Sequence, residues 1–338
     1  MLPFLSMRKG LIAVVLLLAF VCSMAGWRLY QFLVTPSPVL KHPTLIFVRK
    51  GMTLHETAQQ LVSAGVISSA RLFVWWARLT RADRQIKSGE YLFTTPLSPL
   101  ALLRRLTQGE GLRHVVTITE GTTLRQISAL LAAQGLGAEE NFLCLNQDPS
   151  FLAAWGLPSQ GLEGYLYPDT YHFSWLASPQ EILGQIVERF YAALSPAMYR
   201  QAEALDFSEH QIITLASMIE KETGTASERP LIAAVFHNRL RKGMPLQSDP
   251  TVIYGMDHFD GNLTRQHLLT ATPYNTYLFR GLPPGPISNP GRESLLAALY
   301  PAERDYLYFV AKGDGTHVFS SNLSAHNRAV HRFQRGRS

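Results

Sequence analysis

Charge-free, mostly apolar residues fill positions 10–27, and apolar positions continue through Leu29, Phe32, Leu33 and Val34. A run of this kind approaches the roughly 20 residues that cross a bilayer as a helix. Arg28 can snorkel to the interface, and Trp27 and Tyr30 suit an aromatic belt. We therefore read residues 10–34 as a single transmembrane signal anchor behind a short cytoplasmic tail, residues 1–9. Ser23-Met24-Ala25 resembles a small-x-small cleavage site, but the apolar residues beyond it argue against removal. Pro36, Pro38 and Pro43 stiffen a linker over residues 35–43.

The pattern then changes period. Thr44-Leu45-Ile46-Phe47-Val48 is strand-like, Gly51 marks a turn, and Thr53 with Glu56 forms a capping box before a helix with Leu54, Ala58, Leu61 and Val62 inward. The same signals recur 70 positions later in Val115-Val116-Thr117-Ile118, Gly121, Thr123, Leu124, Leu131 and Gly135. A strand, a glycine turn, a threonine-capped helix and a glycine stop account for both copies. The first copy resembles a LysM-like carbohydrate-binding unit, which implies affinity for polymers of N-acetylglucosamine. Helical periodicity follows over 181–191, 208–222, 229–240 and 294–299. A buried strand over 306–311 turns at Gly313-Asp314-Gly315 into a hairpin, while Pro283-Pro284-Gly285-Pro286 allows no regular element. These signals predict an α+β fold: an N-terminal transmembrane helix, a small LysM-like α/β unit over 44–112, and a larger mixed α+β domain over 113–335. The second LysM-like repeat would lie near 115–137.

Composition narrows the picture. The 338 residues suggest two domains at about 150 residues each. With 46% hydrophobic and 17% charged residues, the chain is not disordered. One apolar run excludes a polytopic membrane protein. The net charge of +6 admits anionic lipid, anionic polymer or nucleic acid. Its basic residues are scattered except in the last few positions, and no nucleic acid is expected. Of the 2 cysteines, Cys22 lies in the apolar run, so neither a disulfide nor a thiolate metal site is expected. The 11 histidines show no metal-binding spacing, and no Gly-x-Ser-x-Gly elbow occurs. We expect no metal and no cofactor.

The helix over 208–222 carries the most chemical information. On a helical wheel Ile212, Leu215, Ala216 and Ile219 share a face, with Glu220 at one margin, Glu222 at the other and Lys221 opposite. A carboxyl against apolar neighbours favours its protonated form and can act as a general acid. The wheel does not choose between the two glutamates, and a carboxylate at a helix end is most often solvated or ion-paired. Asn238-Arg239-Leu240, Leu246-Gln247-Ser248-Asp249-Pro250-Thr251-Val252-Ile253-Tyr254-Gly255 and Tyr274-Asn275-Thr276-Tyr277 mix amide, guanidinium, carboxylate and aromatic groups. Sugars are bound by such mixtures, through forked hydrogen bonds and flat apolar faces.

These stretches occur in fixed order with Leu162-Glu163-Gly164-Tyr165-Leu166-Tyr167-Pro168-Asp169-Thr170-Tyr171, Ala216-Ser217-Met218-Ile219-Glu220-Lys221-Glu222, Gly281-Leu282-Pro283-Pro284-Gly285-Pro286, Tyr308-Phe309-Val310-Ala311 and His326-Asn327. Together they resemble the MltG (YceG-like) family of endolytic murein transglycosylases over nearly the whole chain. The resemblance implies cleavage of the β-1,4 bond between N-acetylmuramic acid (MurNAc) and N-acetylglucosamine (GlcNAc) in nascent glycan strands, leaving 1,6-anhydro-MurNAc ends. It places the catalytic glutamate on Glu220, which would protonate the leaving oxygen and then act as base toward the MurNAc C6 hydroxyl. Asn238, Gln247, Asp249, Tyr254 and Asn275 are the candidate substrate-positioning residues, with support of the cleft as their alternative role. The implied setting is the inner membrane, single-pass, with the catalytic domain periplasmic. The implied partners are peptidoglycan strands, the cell membrane and peptidoglycan synthases. Two alternatives remain: a glycoside hydrolase using Asp249 or Asp169 as a second carboxylate, and a non-catalytic peptidoglycan-binding anchor.

Overall fold

The computed structural model describes residues 3–37, 42–109, 111–256 and 258–335. Residues 38–41 of the expected linker and the first two residues of the expected tail lie outside the described residues. In chain order the elements begin with α1 (Pro3–Val34), β1 (Thr44–Val48), α2 (Leu54–Ser63), α3 (Ala70–Leu79), β2 (Gly89–Phe93) and α4 (Pro99–Gln108). They continue with β3 (His114–Thr117), α5 (Leu124–Ala133), α6 (Glu139–Leu145), α7 (Pro149–Ala154), β4 (Thr170–Phe173), α8 (Pro179–Ala193) and α9 (Pro196–Ala204). The last are α10 (Glu209–Glu222), α11 (Arg229–Arg241), α12 (Asp249–Tyr254), α13 (Arg265–Leu269), α14 (Arg292–Leu299), β5 (Tyr308–Ala311), β6 (His317–Ser320) and α15 (Leu323–Val330). The fold is mixed α+β with one long apolar helix at its N-terminus.

Helix α1 contains a 21-residue stretch, Val14–Val34, long and apolar enough to cross a membrane. The side chains of Val14, Leu16, Leu17 and Phe20 are all more than half exposed, a surface that water disfavours. The helix starts at Pro3, so helical structure reaches back into what the charge pattern marks as tail.

Among the described residues, contacts divide the chain into two compact units. One runs up to His114 and includes Ser174–Leu176; the other comprises Val115–Phe173 and the chain from Ala177 onward. In the first, β1 and β2 pair antiparallel with Ile46 opposite Tyr91 and Val48 opposite Gly89. The inward positions Ile46, Val48, Tyr91 and Phe93 pack with Leu61, Phe73, Leu102 and Leu106 in one core. The Thr53–Glu56 capping box starts α2 as its sequence predicts, with both reciprocal bonds formed. Thr123 and Gln126 do the same for α5 in the second unit. Gly51 and Gly121, at φ of 85° and 73°, both occupy the left-handed region that these turns require.

The second unit is organised around α10. All eight residues from Ile212 to Ile219 are buried, so this helix has no solvent face along that length. The wheel expectation of an apolar stripe with polar margins therefore gives way to a helix enclosed on every side. Helices α9, α11, α12 and α14 pack against it. The two polar side chains inside are satisfied locally: Thr214 donates to the His210 carbonyl at 2.7 Å and Ser217 to the Thr214 carbonyl at 2.7 Å. Ser217 also accepts from the Ile287 amide at 3.0 Å, which fixes the segment after the proline run. Strands β5 and β6 form a hairpin with Tyr308 opposite Ser320 and Ala311 opposite His317.

Candidate active site

Helix α10 stops at Glu222 because Thr223 leaves helical geometry (φ −84°, ψ 113°) and its hydroxyl caps the Ile219 carbonyl at 2.6 Å. Glu220 and Glu222 thus sit in the last turn, two residues apart, and their side chains leave the axis about 200° apart. Both lie at the negative end of the helix dipole, where a carboxylate is disfavoured. What surrounds each one decides its state.

Glu220 is paired at both oxygens. Oε1 accepts from Arg229 at 3.2 Å and Oε2 accepts from the Gly291 amide at 2.9 Å. Only 7% of its side chain is exposed. Arg229 also reaches Glu120 at 3.5 Å and donates to the Ser294 hydroxyl at 3.1 Å. The Glu120 carboxyl is raised above the usual carboxylate range by burial first and by the Glu220 charge second. An open hollow of about 850 Å³, lined by residues 117–120, 168–170 and Glu220, lies alongside. A carboxyl held at both oxygens by a guanidinium and a backbone amide ties separate segments of the chain together, as a structural clamp does.

Glu222 has a different environment. Its Oε1 accepts a short hydrogen bond, 2.6 Å, from the Ser248 hydroxyl. Burial pushes its carboxyl up to about 7; the Asp249 charge adds to this, while Ser248 and Arg239 oppose it. The carboxyl opens onto a hollow of about 980 Å³ that is also lined by Arg239, Gln247, Asp249, Tyr277, residues 309–311, His317 and His326. A carboxyl that is half protonated near neutrality, beside a polar hollow, is poised for general acid catalysis.

The wall of this hollow is built by the segment before α12. Gln247 takes φ 50°, a strained conformation for a residue with a side chain, held by its backbone N–H donating to the Thr276 carbonyl at 3.0 Å. Arg239 fixes the loop from beneath: Nη1 donates to the carbonyls of Leu246 at 2.9 Å and Pro245 at 3.2 Å and to the Gln247 side-chain oxygen at 3.3 Å. Its Nε donates to the Leu307 carbonyl at 2.7 Å, and its guanidinium lies 5.2 Å from the Tyr308 ring centre. Asp249 Oδ1 accepts from the Tyr277 hydroxyl at 2.5 Å.

Of the residues singled out as substrate-positioning, Gln247 and Asp249 therefore lie on the hollow with Glu222. The polar groups of the other three are committed elsewhere. Asn238 donates to the carbonyls of Arg304 at 2.8 Å and Tyr306 at 2.9 Å and accepts from Arg241 at 2.7 Å. Asn275 is fully buried, donates to the carbonyls of Leu268 and Thr270, and accepts from the Tyr277 amide at 2.9 Å. It thereby sets the turn that presents Tyr277. Tyr254 donates to Glu163 at 3.2 Å. Glu163 also accepts from the Leu124 amide and from Asn289 at 2.9 Å, and burial pushes its carboxyl up to about 7. Asp169, the other carboxylate considered for a hydrolase, accepts from Arg189 at 2.7 Å, and this bond helps to keep its carboxyl low. Among the described residues, no group of three or more His, Cys, Asp or Glu side chains has metal-site geometry.

Ser248, Tyr277, Arg239 and His317 line or support the hollow without having been chosen as site residues from the sequence. Ser248 and Tyr277 lie inside quoted motifs, next to residues that were chosen. His317 pairs with Glu228, 89 residues away, and no local pattern announces that contact.

The profile of the YceG-like family matches residues 46–332. An endolytic murein transglycosylase of Bacillus subtilis (strain 168) is 32% identical over 306 residues, covering 85% of this chain and 84% of the relative. One of the same name from Streptococcus pneumoniae serotype 2 (strain D39 / NCTC 7466) is 29% identical over 315 residues, 84% of this chain and 57% of the relative. The chain thus spans little more than half of the pneumococcal protein. The crystal structure of a yceG-like protein from Listeria monocytogenes superposes with a TM-score of 0.59 at 32% identity, covering 86% of this chain and 99% of the other. The chain belongs to the YceG-like family.

Proposed function

We propose that this protein is a lytic transglycosylase that cuts within peptidoglycan glycan strands, and that Glu222, rather than Glu220, is its acid. The names of the relatives support the activity. The choice of glutamate rests on one observation: the Glu222 carboxyl, pushed up to about 7 by burial, opens onto the hollow that Gln247 and Asp249 also line. Both oxygens of Glu220 are already taken, by Arg229 and by the Gly291 amide.

In the neutral form, Glu222 gives its proton to the glycosidic oxygen between MurNAc and GlcNAc as the bond to C1 breaks. Positive charge develops at C1 and its ring oxygen. The C6 hydroxyl of the same MurNAc then closes onto C1, leaving a 1,6-anhydro end, and its proton passes to a base on the enzyme. Because the nucleophile is intramolecular, its effective concentration is high and no activated water is needed. This removes the need for the paired carboxylates of an ordinary glycosidase. Ser248 orients the Glu222 carboxyl, and Gln247, Asp249 and Tyr277 offer hydrogen bonds to sugar hydroxyl and acetamido groups. Asn238, Tyr254 and Asn275 then serve by holding the walls.

On this reading α1 anchors the chain in the inner membrane with a cytoplasmic N-terminus and a periplasmic catalytic domain. The first unit is LysM-like and contacts GlcNAc-containing strands. Peptidoglycan synthases are the neighbours whose nascent product is cut, which would end strand elongation. Asp249 supports a second reading, a hydrolase with Asp249 as second carboxylate, because it shares the hollow with Glu222. Digestion of purified uncrosslinked strands with readout of product mass separates the two. Anhydro ends from the wild type and no cleavage by Glu222→Gln are expected; ends carrying an added water would overturn the transglycosylase reading.

A further inference from the structure

A second candidate for proton transfer, His317, lines the hollow with a carboxylate behind it. Glu228, in the short 3-10 turn Ala226–Glu228 before α11, directs both carboxylate oxygens at His317, the first residue of β6. Oε2 lies 2.7 Å from Nδ1 and Oε1 accepts the His317 backbone amide at 3.0 Å. Each of the two side chains is only 12% exposed. A carboxylate on Nδ1 fixes the tautomer that carries its proton there and leaves the Nε2 lone pair free. Among the described residues Nε2 makes no hydrogen bond, and His317 lines the same hollow as Glu222. The ring is further confined by Phe309, edge-on at 5.4 Å, and Phe319 at 6.3 Å.

We propose that His317, oriented by Glu228, is the base that accepts the proton of the MurNAc C6 hydroxyl, so that acid and base are separate groups. The proposal rests on the transglycosylase reading with Glu222 as acid. In balance, the Glu222 proton goes to the leaving oxygen as the C1–O bond breaks. The O6–C1 bond forms and the O6 proton goes to His317 Nε2. After the product leaves, imidazolium returns one proton to the Glu222 carboxylate through water, restoring both groups without oxidation or reduction.

Other ionisable groups on the hollow are Glu222, Asp249, Arg239, Tyr277 and His326. His326 is the competing imidazole. It is stacked on Tyr308 at 5.0 Å, and among the described residues its buried Nδ1 has no hydrogen-bond partner and no carboxylate orients it. Among the described residues the Glu222 carboxyl accepts one hydrogen bond, from Ser248, so a single bond holds it while it and His317 line the same hollow.

The test uses the full chain and purified glycan strands. His317→Asn keeps an amide donor for Glu228 but has no atom in place of Nε2. We expect kcat to fall by about 10²- to 10⁴-fold with KM nearly unchanged, and the acid limb of the pH–kcat profile, which reports the base, to vanish. Glu228→Gln should lower kcat by roughly tenfold or more through loss of orientation, and it provides the same readout if His317→Asn does not fold. Wild-type kcat with both pH limbs in whichever variant folds would overturn the proposal. The underlying reading fails separately, through cleavage by Glu222→Gln or water-bearing product ends. An inactive Glu222→Gln beside a fully active His317→Asn would remove only the base assignment.

Discussion

The two sides of the C-terminal turn of α10 carry the same side chain into opposite chemical situations. On one side Glu220 meets Arg229 and a backbone amide, and Glu120 shares the same guanidinium. On the other, Glu222 meets a serine hydroxyl, a neighbouring aspartate and a large polar hollow. The first arrangement joins the loop before α5 to α10, α11 and the start of α14. The second raises the cost of ionisation and keeps a transferable proton near neutral pH. On the proposed reading one motif supplies one residue to stability and another, two positions on, to chemistry, and the partner groups decide which is which.

That contrast can be broken most forcefully at Glu222. Glu222→Gln should lower strand turnover by about 10³-fold, the usual scale for losing a general acid, as read by release of soluble fragments. Next in size is the clamp. Arg229→Gln leaves two carboxylates without their shared cation and should cost about 3 kcal/mol of folding stability in denaturant titration. Turnover per folded molecule should largely survive. If stability is unchanged, the clamp is not structural.

A smaller effect follows from the raised carboxyl. Glu222 ordinarily ionises at 4.5, whereas in the fold it does so at about 7. Between those values the unfolded chain gives up a proton that the folded chain keeps, so this group's contribution to stability falls as pH rises. Below 4.5 both states are protonated and the penalty is absent; above about 7 it is complete. Glu222→Gln should therefore be more stable than the wild type at pH 8, by up to about 3 kcal/mol for a shift of this size, and almost equally stable at pH 4. An equal gain at both pH values would contradict a buried, reluctantly ionised carboxyl. The smallest change is Gly291→Ala. The added Cβ would strike the Glu120 carboxylate. That side chain is 47% exposed and can swing away, so we expect a loss below about 1 kcal/mol and normal turnover.

Local signals carried the fold well. Thr53 with Glu56 and Thr123 with Gln126 cap helices through neighbours three residues away, and such contacts are visible in any sequence. The antiparallel β5–β6 hairpin turns around Gly313 and Gly315, again within a few residues. The site was legible only in part. The motifs contain Gln247 and Asp249, which line the hollow, and also Asn275 and Asn238, whose amides donate to backbone carbonyls, the supporting role that residue type left open for them. The two glutamates could not be told apart because their partners are distant: Ser248 lies 26 residues from Glu222 and Gly291 lies 71 from Glu220. A helical wheel gives direction and says nothing of what waits there. It also assumed a solvent face that α10 lacks, since every residue from Ile212 to Ile219 is enclosed.

The most direct test sets Glu220→Gln beside Glu222→Gln in the same strand-cleavage assay, with folded fractions matched by circular dichroism. The account predicts that Glu220→Gln keeps turnover within about tenfold of wild type while Glu222→Gln loses about 10³-fold. An active Glu222→Gln beside an inactive, folded Glu220→Gln would contradict it.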